Sequence, residues 1–184
     1  MFSISTKELV YLSIMGAAWF VLDFIIGQWI NVVTGMYMIG FLAAIVSGFF
    51  GVILVKSRPK FFTFTIPLFI FGVLALPTGS AGPVGFWPKV AVEVIVGLIA
   101  DSWFKMTKYK NWSIIIGFYI IVALLYGFMV GTMALMGIPE VGKIASVLPI
   151  AIPGFWVIGS IGLWLGFYIW RKIKDKAAVK QVTW

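Results

Sequence analysis

Pro77–Asp101, PTGSAGPVGFWPKVAVEVIVGLIAD, interrupts a nearly continuous apolar text with glycines, prolines, a tryptophan, and then Lys89 and Glu93. Charges set just inside an apolar segment are costly in hydrocarbon, so they face a cavity, a partner or a water-filled path and mark function by default. The rest of the chain supplies the setting. Of its 184 residues, 62% are hydrophobic and only 11% charged, with a mean hydropathy of +1.09, where an ordinary soluble domain carries about 25% charged residues. The apolar residues come in blocks close to the roughly 20 needed to cross about 30 Å of hydrocarbon. The chain therefore reads as an all-α integral membrane protein.

Working outward from that stretch, three apolar spans are expected before it, over about 9–26, 36–55 and 61–76. A fourth rises from within it over 89–104, and two more follow over 112–136 and 148–170, with a basic tail at 171–184. All six form one membrane domain. Ser5 or Thr6 is placed to cap the first helix, with Glu8 in its first turn. Span one is too long for the apolar region of a signal peptide and no A-x-A site follows it, so it is expected to be retained. The connector GQWINVVTG carries no charge and holds Trp29, which suits an interfacial anchor. Pro59 and the cations of KSRPK end span two. Span three covers only about 24 Å at 1.5 Å per residue, so it must lie in a thin region or borrow length from Pro77 onward.

The charge pattern orients these spans. Twelve of the fourteen cations fall in alternate connections: Lys7, then Lys56, Arg58 and Lys60, then Lys105, Lys108 and Lys110, then the five of the tail. Lys89 and Lys143 stand on the other face. By the positive-inside rule both termini are expected to be cytoplasmic. The net charge of +8 is then an orientation signal, not a nucleic-acid footprint, which would sit on a polar scaffold with exposed aromatic platforms. With neither Cys nor His in the chain, disulfides, iron–sulfur clusters and the commonest transition-metal ligand are excluded, and no metal or cofactor is expected.

Polar groups on the outward side are few: Asp23, Gln28, Trp29 and Asn31; Thr78, Ser80, Trp87, Lys89 and Glu93; Glu140, Lys143, Ser146 and Trp156. Aromatic rings with a few carboxylates and amides are what a pocket for a flat, polar organic ligand needs, because rings stack and polar groups fix orientation. The plain alternative for each Trp is an aromatic belt. Glu93 follows Lys89 by four residues, on one helical face, so the two are placed to pair. Such a pair serves either as a structural ion pair or as a ligand site in which Glu93 meets a cation or hydrogen-bond donor. Asp23, well inside span one, is the other buried carboxyl. Asp101 reads as a helix-end partner of Lys105. The substrate-binding candidates are Glu93, Trp87, Lys89, Asp23, Asn31, Glu140 and Trp156.

No nucleophile with a base and no cluster of carboxylates occurs, so enzyme activity is not expected. Small-xxx-small spacing recurs at Ser13 and Ala17, at Gly40, Ala44 and Gly48, at Gly127 and Gly131, and at Gly162 and Gly166. Such stripes let helices approach closely, mostly for internal packing. The one at Ser13 and Ala17 is also placed to face another protein.

The length, the six spans, the cytoplasmic ends and the Ser13–Ala17 stripe resemble the substrate-binding S component of an energy-coupling factor (ECF) vitamin transporter. TKELVYLSIMGAAWFVLDF and the later GSAGPVGFWPKVAVEVIVGLIADSWFKMTKY look most like its YkoE-like branch, associated with thiamine precursors such as hydroxymethylpyrimidine. The resemblance implies capture of a vitamin at the outer face, with a transmembrane coupling protein and two cytoplasmic ATPases as partners. Those ATPases are separate chains, since no G-x-x-x-x-G-K-S/T loop occurs here. It implies docking of the coupling protein at Ser13 and Ala17, with Ser in place of the usual first Ala, and a pocket that includes Trp87, Glu93, Glu140 and Trp156. Two other readings stay open: a stand-alone proton-coupled transporter or channel-like protein using Asp23 and Glu93, and a structural subunit of a larger membrane complex.

Overall fold

The computed structural model describes residues 4–34, 39–79, 83–139 and 141–176, the side chains of 27–34 and 39–42 excepted. Six helices account for nearly all of them: α1 (Thr6–Thr34), α2 (Ile39–Ser57), α3 (Thr65–Ala75), α4 (Pro88–Met106), α5 (Asn111–Leu135) and α6 (Val141–Ile173). No strand occurs among the described residues.

Local chemistry sets where each helix begins. Ser5 and Glu8 form a capping box: the Ser5 amide donates to Glu8 Oε2 at 2.9 Å and the Glu8 amide to Ser5 Oγ at 3.3 Å, satisfying donors that a first turn otherwise leaves bare. Pro88 opens α4 at its first turn, where a missing amide costs nothing. Residues 61–64 form a turn with Phe62 at φ +69°, so α3 is shorter than the apolar run suggests, with 11 residues and about 16 Å of length. At the other extreme α1 runs on to Thr34, because the uncharged connector contains nothing that stops a helix. Likewise α6 begins at Val141 and carries Pro149 and Pro153 inside it. The expected span starts only at 148; within a membrane helix prolines are tolerated away from the first turn, because neighbouring groups re-satisfy the freed carbonyls.

Three segments are long and apolar enough to cross a membrane: Thr6–Ile26 of α1, α5 and α6. The described part of α2, Ala43–Ser57, and α3 are shorter apolar helices, and α4 carries Lys89, Glu93, Asp101 and Lys105.

The helices pack as a ring in the order α1, α3, α4, α5, α6, α2 and back to α1, with α2 and α5 also touching across it. Close backbone approach holds the α2–α6 seam. A Cβ on Gly48 would run into the Gly159 carbonyl, and one on Gly162 into the Ile45 carbonyl. On the α1–α3 seam it is Gly16 that allows contact, a Cβ there falling 2.6 Å from the Pro67 carbonyl oxygen. Gly127 and Gly131, in contrast, have nothing within 4 Å of an added Cβ, so the α5 stripe is not a close crossing. The core is aromatic: Trp19 stacks on Phe50 with centroids 5.8 Å apart and meets Phe64 and Phe71 edge-on, while its indole N–H donates to Ser47 Oγ at 3.2 Å.

Candidate functional site: a carboxyl pair inside the ring

One face of α4 carries Lys89, Val92, Glu93, Val96, Gly97, Ala100, Asp101 and Phe104, all buried. Three charged side chains on a buried face need three separate solutions, and each finds a different one.

Asp101 accepts from the Phe64 amide at 2.9 Å, the Thr65 amide at 3.0 Å and Thr65 Oγ1 at 2.6 Å. It caps the start of α3 from the neighbouring helix. The expected pairing with Lys105 is replaced by this one, because two orphan amides and a hydroxyl satisfy a buried carboxylate more fully than one cation at the helix surface; Lys105 lies over the Phe61 ring, 5.7 Å from its centroid. At the other end, Lys89 Nζ donates to the carbonyls of Ala75 at 2.9 Å and Thr78 at 3.1 Å. The expected Lys89–Glu93 pair is therefore not the arrangement found: the ammonium takes the unsatisfied carbonyls at the end of α3, one turn away from Glu93. An anion at the N-terminus and a cation at the C-terminus both complement the α3 dipole. The same contact ties down the loop between α3 and α4, where the Gly85 amide, at φ +72°, also donates to the Leu76 carbonyl at 2.8 Å.

Glu93 lies between these two clamps. It is 4% exposed, and its Oε2 is buried with no hydrogen-bond partner. Gly72 of α3 makes the space for it: a Cβ at that position would stand 3.3 Å from Glu93 Cγ. Asp23 of α1 lies within electrostatic reach of Glu93, and Tyr126 of α5 within reach of both. Phe155 of α6 stacks on Tyr126 with centroids 4.5 Å apart and an interplanar angle of 12°. Four helices thus contribute two carboxyl groups and a phenol within electrostatic reach of one another, with a phenyl ring stacked on the phenol.

The other sequence candidates are dispersed. Trp156 lies on the α5–α6 seam, its indole donating to the Tyr119 carbonyl at 3.1 Å and its ring tilted against Tyr119. Trp87 is 66% exposed at the head of α4, where an interfacial ring would sit. Asn31 lies in the last turns of α1, its side chain outside the described set, and Glu140 lies outside the described residues. Ser13 and Ala17 are half-buried, flanked on α1 by the exposed Val10, Ile14 and Val21. Tyr126 and Phe155 are additions from the structure; a phenol in the middle of an apolar span is the one signal that pointed to the first.

The cationic end has its own network. Glu8 Oε1 accepts from Arg58 Nε at 3.2 Å and Lys60 Nζ at 2.7 Å, and the buried Arg58 also donates to the Phe61 carbonyl and Thr63 Oγ1. It ties the start of α1 to the connection after α2.

A six-helix all-α protein of this hydropathy, with three helices long enough to span hydrocarbon, is a multi-pass integral membrane protein. The chain belongs to the family described as "Hypothetical bacterial integral membrane protein (Trep_Strep)", which it matches over residues 6–141. That match runs from the start of α1 to the first residue of α6. No curated protein and no solved structure matches the chain.

Proposed function

We propose that this chain is a membrane-embedded binding subunit for uptake of a small heteroaromatic vitamin or vitamin precursor, thiamine-like in the first instance. It works as the S component of an ECF-type transporter, with a transmembrane coupling protein and two ATPases as separate partners. Glu93 carries the reading: a buried carboxyl oxygen with no hydrogen-bond partner, within electrostatic reach of Asp23 and of Tyr126, which stacks on Phe155. Leaving a buried acceptor unmade costs about 1–3 kcal/mol, and a group retained at that cost in an aromatic surrounding suits an acceptor held ready for a ligand's N–H. The Ser13–Ala17 stripe beside an exposed apolar strip of α1 supports docking on a partner helix.

Titration of the purified protein with vitamins, read by tryptophan fluorescence and calorimetry, tests the reading. Tight binding of an amine-bearing heteroaromatic is expected, weakened in Glu93→Gln by about 1.5–3 kcal/mol, the worth of a hydrogen bond to a charged group. Transport in proteoliposomes should appear only when coupling protein and ATPases are added. Uptake by the chain alone, driven by a proton gradient, would overturn the assignment in favour of a stand-alone carrier.

A further inference from the structure

The charges facing the carboxyl pair restrict its ligand further than the pair does by itself. From α1 comes Asp23, from α4 Glu93, from α5 Tyr126, and α3 contributes the glycine that makes room. None of these is a cation. Lys89, the nearest in sequence, is fully buried with its ammonium on the carbonyls of Ala75 and Thr78. Lys143 is exposed in the first turn of α6. Arg58 and Lys60 are on Glu8 at the far end of the bundle. The interior thus presents carboxyl oxygens, a phenol and a π surface, with no guanidinium or ammonium turned toward it among the described residues.

We propose that this site selects its ligand by charge, accepting a small aromatic cation and rejecting the same ring once it carries a phosphate. The proposal deepens the binding-subunit reading above and rests on it. A carboxylate accepts a ring or exocyclic N–H, and the Tyr126 ring supplies a π surface for the charged ring. A phosphate brought into the same water-poor space would lose its hydration with no cation among the described residues to neutralise it, which is strongly unfavourable. An uptake protein so built takes up the dephosphorylated ligand, so its product would have to be phosphorylated inside the cell if an ester is the used form.

The test pairs each base with its phosphate ester: thiamine with thiamine monophosphate, and pyridoxamine with pyridoxamine 5′-phosphate, titrated calorimetrically into the intact chain in nanodiscs. At least one free base should bind, its ester more weakly by about 100-fold or more. Asp23→Asn and Glu93→Gln, checked for an unchanged thermal midpoint, should weaken the base and bring the ratio toward unity. Equal affinity for base and ester overturns charge selection and leaves the binding-subunit reading standing. An unchanged ratio in both variants overturns the assignment to this carboxyl pair. Absence of binding by all four compounds overturns the ligand reading and this proposal with it.

Discussion

Asp101 and Glu93 sit eight residues apart on one buried face, and they carry opposite consequences for stability. Asp101 accepts three hydrogen bonds, two of them from amides that have no other partner at the start of α3. Replacing it with Ala would strand both amides at about 1–3 kcal/mol each. Asp101→Ala should therefore destabilise the protein by about 3 kcal/mol or more, read as a clear fall in the thermal midpoint in detergent. A change under about 1 kcal/mol would show that the cap is dispensable. Glu93 supports no contact of that kind. Glu93→Gln should leave the midpoint unchanged or raise it, as expected of a residue kept for function at the expense of stability. A drop comparable with that of Asp101→Ala would make Glu93 a structural residue. The sequence shows both acids with equal clarity but not this difference, because the partners of Asp101 lie 36 and 37 residues away. The i, i+4 spacing of Lys89 and Glu93 misleads for a related reason: spacing shows what is adjacent on one helix, while the carbonyls that attract Lys89 belong to another.

At the scale of helices, the existence of six was legible, since hydrophobic runs interrupted by proline and charge are forced into helices by the lack of water for backbone groups. Ends were harder to read. The turn at 61–64 shortens α3 because Asp101 holds Phe64 and Thr65, a tertiary contact, and α6 starts before Pro149 because its first turns contain nothing that forbids a helix. Small-residue stripes were visible, but which of them pack was not: Gly48 and Gly162 abut backbone carbonyls, whereas Gly127 and Gly131 face open space. A matched pair of variants separates these cases. Gly162→Leu should prevent α2 and α6 from approaching, costing several kcal/mol as overpacking against backbone does, and so abolish a monodisperse folded peak in size-exclusion chromatography. Gly127→Leu should leave the isolated protein intact and, by replacing a helix-interior glycine, raise its thermal midpoint slightly. Equal damage from both would place α5 in a tighter packing than the one described.

For the whole molecule, the ring has two unlike ends, and a function in uptake depends on which faces outward. The Glu8–Arg58–Lys60 network and the connection carrying Lys108 and Lys110 mark one end. The carboxyl pair lies toward the other, below the loop that Lys89 anchors. Cations near helix ends are retained on the cytoplasmic side, so the Asp23–Glu93 half is expected to face the exterior. The chain contains no cysteine, so a single introduced thiol reports its own side. Val84→Cys, at a position 69% exposed, should react with a membrane-impermeant maleimide in intact cells. Lys110→Cys, exposed at the head of α5, should react only after permeabilisation. The reverse pattern would turn the site toward the cytoplasm and make the protein an exporter or an internal sensor. Labelling of both from one side would mean that α4, the helix between them, does not cross the bilayer, which its 19 residues, about 28 Å of helix, argue against.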